Sequence, residues 1–169
     1  MLLDLEYAIP TIKKMVLDSG IWDSLIINRR KPHTWRLFSP LGDNRICLHK
    51  FAPCEDFETF AHPHPWPAAF LVLQGSYKQN IGYSLSSESN PIWHYREIMT
   101  AGCRYEITDW RTWHSIQPLE ETYTIMLNGP PHSVQHKDTR TTKGKDLDQM
   151  LYPDGLELLD KFQELLKDY

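Results

Sequence analysis

The segment His62-Pro63-His64-Pro65-Trp66-Pro67 decides how the rest of the chain is read. Its prolines hold φ at about −65° and remove three amide donors, which excludes a central, fully paired strand. In extended backbone, residues two apart point the same way, so His62 and His64 project side by side. The segment reads as a stiff, extended stretch at a barrel mouth. A third nitrogen would have to come from a distant strand, and His114, within Trp110-Arg111-Thr112-Trp113-His114-Ser115-Ile116, is the candidate. Three imidazoles on one side of a metal leave its other positions open to water or substrate.

Outward from that segment, residues 35 to 127 are short β-type runs separated by turn residues. The runs are Thr34–Phe38, Arg45–Phe51, Phe70–Gln74, Tyr77–Tyr83, Trp93–Met99, Ser115–Pro118 and Thr122–Leu127. Between them lie Ser39-Pro40-Leu41-Gly42-Asp43-Asn44, Gln74-Gly75-Ser76, residues 84–91 and Asn128-Gly129-Pro130-Pro131. Many short strands with this punctuation predict a sandwich or barrel. Both ends predict helices. Pro10 suits a first helical turn, Ile12, Met15 and Val16 follow at helical spacing, and Gly20 is placed to end it. Near the C-terminus, Asp154 and Glu157 make a capping box. Behind it Leu156, Leu159, Phe162 and Leu166 form an apolar stripe, widened by Leu158 and Leu165. The chain reads as one domain over 1–169, with a helical segment at 1–30, a barrel over about 34–130, and a polar connection and helix over 131–169. His132 and His136 have the spacing of ligands on one helix face, but Pro130-Pro131 places them in a loop.

The chain has 169 residues and a net charge of −4. A domain of this size buries roughly 70% of its surface. The mildly acidic balance lacks the basic footprint of nucleic-acid binding. Cys47, Cys54 and Cys103 are odd in number and lack C-x-x-C spacing, so a disulfide framework is not expected. Asp4 and Glu6 spoil a signal peptide, and no apolar run is long enough for a bilayer, so no membrane association and a cytoplasmic location are expected.

Residues 45–129 resemble the cupin superfamily. The first cupin motif is H-x-H, three or four residues, Glu, six residues, Gly. It aligns with His62-x-His64, Pro65–Pro67, Ala68 in place of the glutamate, six residues and Gly75. The second motif ends in a ligand histidine, which His114 would supply, and Gly102 lies near one of its signposts. The chain is also similar to small bacterial and phage cupins with H-x-H-P-W, L-x-G-x-Y and W-T-L-F-x-T-G-P. Here these read His62–Trp66, Leu73-Gln74-Gly75-Ser76-Tyr77 and Tyr123-Thr124-Ile125-Met126-Leu127-Asn128-Gly129-Pro130. The resemblance implies an all-β cupin jelly-roll (double-stranded β-helix) barrel with short flanking helices. It also implies pairing through sheet edges, a homodimer.

The expected metal ligands are His62, His64 and His114. Neutral nitrogens argue against Mg or Ca and favour a divalent transition metal, Fe(II) first, with Zn, Ni, Mn or Cu as alternatives. Without the glutamate the site keeps the ion's full charge, which favours a small anionic substrate. Three-histidine cupins resemble thiol and diketone dioxygenases, although Leu127, Gly129 and Pro131 stand where a thiol-dioxygenase relay would need other residues. The leading expectation is a mononuclear non-haem iron oxygenase. A non-catalytic cupin that binds a metal or small ligand, and a metal-assisted isomerase or lyase, are the alternatives. His49 would orient a ligand, act as general base, or be a plain core histidine; as a metal-free acid/base catalyst it would need Glu97, Glu106 or Asp109 as partner. Arg36 and Arg45 would clamp a substrate carboxylate. Tyr77 and Tyr123 would offer hydroxyls, and Trp66 and Trp113 apolar walls.

Overall fold

Alternation along the strands sorts the side chains into two separate interiors. The computed structural model describes residues 1–28, 30–134, 147–148, 152–167 and 169. In chain order it contains α1 (Leu2–Met15), β1 (Asp23–Ile27), β2 (Thr34–Leu41), β3 (Asn44–Phe51), β4 (His62–Pro63) and β5 (Ala68–Gln74). These are followed by β6 (Ser76–Tyr83), β7 (Ile92–Thr100), β8 (Arg104–Ile107), β9 (Thr112–Pro118), β10 (Thr122–Asn128), β11 (Leu147–Asp148) and α2 (Tyr152–Lys167). Antiparallel ladders join them into one sheet of order β11-β1-β2-β3-β10-β5-β8 and another of order β4-β9-β6-β7. The architecture is a β-sandwich with flanking helices, two sheets rather than one closed ring.

The first interior lies between the helices and the larger sheet. Leu37, Ile46, Leu48, Leu71, Ile125 and Leu127 meet Leu5, Ile12, Leu159, Phe162 and Leu166 there. Each such side chain contributes about 1.5–3 kcal/mol when fully buried, so the helices are structural members of the fold. The second interior lies between the two sheets. Its apolar part is small: Cys47, Ala68, Phe70, Ile107 and Met126 in one group, Val72, Tyr77 and Met99 in another. Many of the other inward positions are polar, among them Arg36, Arg45, His49, Gln79, His114 and Thr124.

Two turns show why glycine stands where it does. Gly42 opens a two-residue hairpin between β2 and β3 with φ 60°, the type II′ position that suits glycine. Gly75, φ 82°, is the one residue at which the chain leaves the larger sheet (β5) for the smaller (β6). A Cβ at Gly75 would lie 2.5 Å from the Glu121 carbonyl oxygen, so no other residue fits the corner.

All seven expected strands are present, several one to three residues longer than read. The helical expectations change. Rather than beginning at Pro10, α1 begins at Leu2 and carries Pro10 inside it. Proline costs about 3 kcal/mol in a helix interior. Here it sits on the exposed side, where water can take the Glu6 carbonyl, and burial of Leu5, Ile9 and Ile12 outweighs the loss. The helix ends before Val16, not at Gly20. Gln163 Nε2 donates to the Val16 carbonyl at 2.7 Å and Trp22 Nε1 to the Met15 carbonyl at 3.1 Å. Gly20 instead donates its amide to Asp18 in a short 3₁₀ turn. In α2, Asp154 stands within the first turn, because the helix starts at Tyr152; it is not a cap. The expected helical segment 1–30 also contains β1, which pairs with β2 from Asp23↔Phe38 to Ile27↔Thr34. Most of the expected polar connection, including His136, lies outside the described residues. No described helix is long and apolar enough to cross a membrane.

Candidate metal centre

β4 is at the edge of the smaller sheet, where proline's missing N–H leaves no ladder bond unmade. It pairs antiparallel with β9, His62 opposite His114 and Pro63 opposite Trp113. That register brings the remote imidazole directly beside the first motif. His114 Nε2 lies 2.9 Å from His64 Nε2 and 3.1 Å from His62 Nε2. The rings of His62 and His64 are inclined to that of His114 by 65° and 70°.

These nitrogens cannot satisfy one another. A neutral imidazole nitrogen carries either one N–H or one lone pair. His114 Nε2 therefore cannot hydrogen-bond to both neighbours at once. Protonation does not relieve the crowding either. Burial, and then the neighbouring imidazoles, push all three rings well below the usual histidine range, so they stay neutral with lone pairs available. A single cation facing the three nitrogens satisfies all of them. Metal–nitrogen bonds of about 2.0–2.1 Å put two ligand nitrogens about 2.9 Å apart at a right angle and about 3.4 Å apart at a tetrahedral angle. The observed separations fall in that range, and the donor set suits a divalent transition metal.

The surroundings are cationic. His49 on β3 stands opposite Arg36 on β2 and Thr124 on β10. Arg36 Nε donates to His49 Nε2 at 2.7 Å, and Thr124 Oγ1 lies 3.5 Å from Nδ1. Arginine is always a donor, so the proton of neutral His49 is on Nδ1. Its one lone pair is already engaged, so in this arrangement His49 holds Arg36 in place rather than acting as a base. Burial, and then Arg36 and Arg45, keep it neutral by pushing its pKa well down. Arg45 lies 4.7 Å over the Trp66 ring. Arg30 lies 3.8 Å over Phe60, which stacks on His62. Ala68, at the cupin glutamate position, is fully buried among Phe70, Ile107 and Met126, where a carboxylate would be desolvated.

Other expected residues lie elsewhere. Tyr123 is on the helix-facing side of β10, edge-on to Phe162, with its hydroxyl donating to Glu121 at 2.6 Å; strand alternation gives the inward position to Thr124. Trp113 precedes His114 and so faces the opposite side of β9. Tyr77 is inward but deep in the apolar group, its hydroxyl 2.8 Å from that of Tyr105. Glu97, Glu106 and Asp109 line a separate cleft. Phe70 escaped the sequence reading; it meets His64 and His114 at ring-centroid distances of 5.5 and 6.0 Å. Arg30 also escaped it, and nothing in the local sequence marks that residue.

No protein-family model matches the chain, and no curated protein sequence matches it significantly. Among solved structures, FeII HppE in complex with substrate superposes with a TM-score of 0.51 at 11% identity, over 66% of this chain and 58% of that one. Hydroxypropylphosphonic acid epoxidase from S. wedmorenis gives 0.48 at 11%, over 62% and 55%. KdgF from Halomonas sp. gives 0.47 at 15%, over 63% and 88%. The match spans little more than half the length of the HppE chains. At these identities the likeness is one of fold: a cupin-like β-sandwich with flanking helices.

Proposed function

We propose that this chain is a metal-dependent cupin enzyme, a non-haem iron oxygenase acting on a small anionic molecule held between the two sheets. The observation that carries the reading is the trio of neutral imidazole nitrogens 2.9–3.1 Å apart along His64–His114–His62, the first two residues buried and His62 half-buried, which a shared cation satisfies. His62, His64 and His114 would hold the ion. Bound iron(II) would supply the redox and Lewis-acid chemistry for reaction with O₂.

The chain's own residues do the rest. Arg36 and Arg45 bring fixed positive charge to the inward face of β2 and β3, and their planar forks suit a carboxylate or another oxyanion. Burial and the nearby Arg45 and Arg30 already lower the Arg36 pKa, so an entering anion relieves cation crowding there. His49 keeps Arg36 aimed. Phe60, Phe70 and Trp66 form the apolar walls that keep water out and strengthen these charge interactions.

Protein purified without chelators is expected to hold one transition-metal ion per chain, and His114→Ala none, with similar melting midpoints for the two chelated proteins. Stoichiometric iron, with O₂ uptake when small carboxylates are supplied, supports the oxygenase. Stoichiometric metal without O₂ uptake transfers the reading to an isomerase or lyase. A folded wild-type protein that takes up no metal leaves a non-catalytic small-ligand binder.

A further inference from the structure

The strands β6 and β7 form one wall of a cleft of about 220 Å³, and Tyr105 and Ile107 of β8 contribute the other. On the first wall Gln79 stands directly opposite Glu97 in the ladder, and Ile81 opposite Tyr95. Directly opposite residues share a face with Cβ atoms about 4.5–5.5 Å apart, so the amide and the carboxylate lie side by side. Gln79 is 1% exposed, yet its side-chain oxygen has no hydrogen-bond partner. Two other carboxylates at the rim are engaged: Glu106 by the chain's amino terminus and the Leu2 amide, Asp109 by Arg111. Glu97 has no ion pair or hydrogen bond among the described residues.

A buried acceptor without a donor, an unpaired carboxylate beside it, and the rings of Tyr95 and Tyr105 together ask for one kind of ligand. We infer that this cleft is a second binding site that takes a primary ammonium group. Its N–H bonds would reach Glu97 and Gln79 Oε1, and its charge would lie against the tyrosine faces. The volume is below that of pockets for drug-sized ligands, which suits an amine of a few carbons. The site is separate from the metal centre. Between the imidazoles and the cleft stand Phe70, whose ring stacks on that of Tyr105 at 4.5 Å, and Ile81, which lies opposite His114 in the β6–β9 ladder; none of the three imidazoles lines the cleft. Its acidity is opposite to the cationic chamber on the other side.

The test is a titration of full-length protein with n-butylammonium chloride, followed by NMR of the tyrosine rings and compared with sodium chloride at equal ionic strength. Saturable shifts at Tyr95 and Tyr105 are expected, with affinity at least about tenfold weaker in Glu97→Gln, whose amide spectrum should otherwise match the wild type. Tetramethylammonium, which has no N–H, should bind more weakly. Nα-acetyl-lysine methylamide distinguishes the source: tighter binding than butylammonium indicates a lysine side chain, weaker binding a free amine. No saturation beyond the salt control, undiminished binding in Glu97→Gln, or equal binding of tetramethylammonium overturns the inference. None of these readouts depends on the metal.

Discussion

His114 Nε2 has two imidazole nitrogens within 3.1 Å and one bonding site to offer them. Whatever occupies the centre, the metal-free state keeps the buried His49, His64 and His114 and the half-buried His62 neutral, and this has a measurable consequence. Burial depresses all four folded-state pKa values, whereas in the unfolded chain each ring titrates near 6.5. Below that pH the unfolded state binds protons that the native state refuses. Stability is therefore fully present above about pH 7 and falls as pH drops below 6.5, by up to about 1.4 kcal/mol per pH unit for each histidine. Chemical denaturation of chelated protein between pH 7.5 and 5 should show this slope. A flat profile would mean that the rings accept protons while folded, which contradicts their burial. At this scale the sequence was informative but incomplete. The i, i+2 spacing of His62 and His64 predicted their common side. The same alternation rule excludes Trp113 and Tyr123, once the register of His114 and Thr124 is known.

Among the elements, the β5–β6 corner carries the most constraint. Gly75 combines φ 82° with backbone at 2.5 Å from its missing Cβ. Gly75→Ala should lower stability by about 3 kcal/mol, a fall of roughly 10 °C in melting midpoint. Gly42→Ala, with φ 60° but open space around it, should lose only about 1 kcal/mol. Equal effects of the two would show that the corner is free to relax. The strands were easy to read where β-branched and aromatic residues met Gly, Pro and Asn punctuation. Besides the two-residue β4 and β11, two strands were missed for physical reasons. Arg104-Tyr105-Glu106-Ile107 alternates, but over too few residues to stand out, and Asp23-Ser24-Leu25-Ile26-Ile27 is short, begins with two polar residues and follows closely on the helical segment, despite the turn at Asp18-Ser19-Gly20. Pro10 misled the reading because its local preference yields to tertiary burial of the residues around it.

In the molecule as a whole, stability and chemistry occupy different layers. The large apolar core lies between the helices and one face of the seven-stranded sheet; the histidines and arginines lie between the sheets. Phe162, fully buried under α2, belongs to the first layer only. Phe162→Ala should cost about 3–5 kcal/mol, while protein that remains folded keeps its full metal content. Loss of metal in step with partial loosening of the helices, below the unfolding transition, would refute this separation. The arrangement also explains how a sandwich interior can hold so many polar groups: the helices complete a core elsewhere, so the space between the sheets need not be apolar.

The sequence by itself determined the β-rich body, the helical ends and the side-by-side pair of imidazoles, because strand alternation, proline geometry and helical periodicity are local properties of the chain. Tertiary structure alone decided which face of β9 meets that pair, which arginines turn inward, and that Gln79 lies beside Glu97. Those outcomes depend on the register in which strands pair, neighbouring ones for the arginines and Gln79 and remote ones for β9, and a shift of one residue would have reversed every one of them.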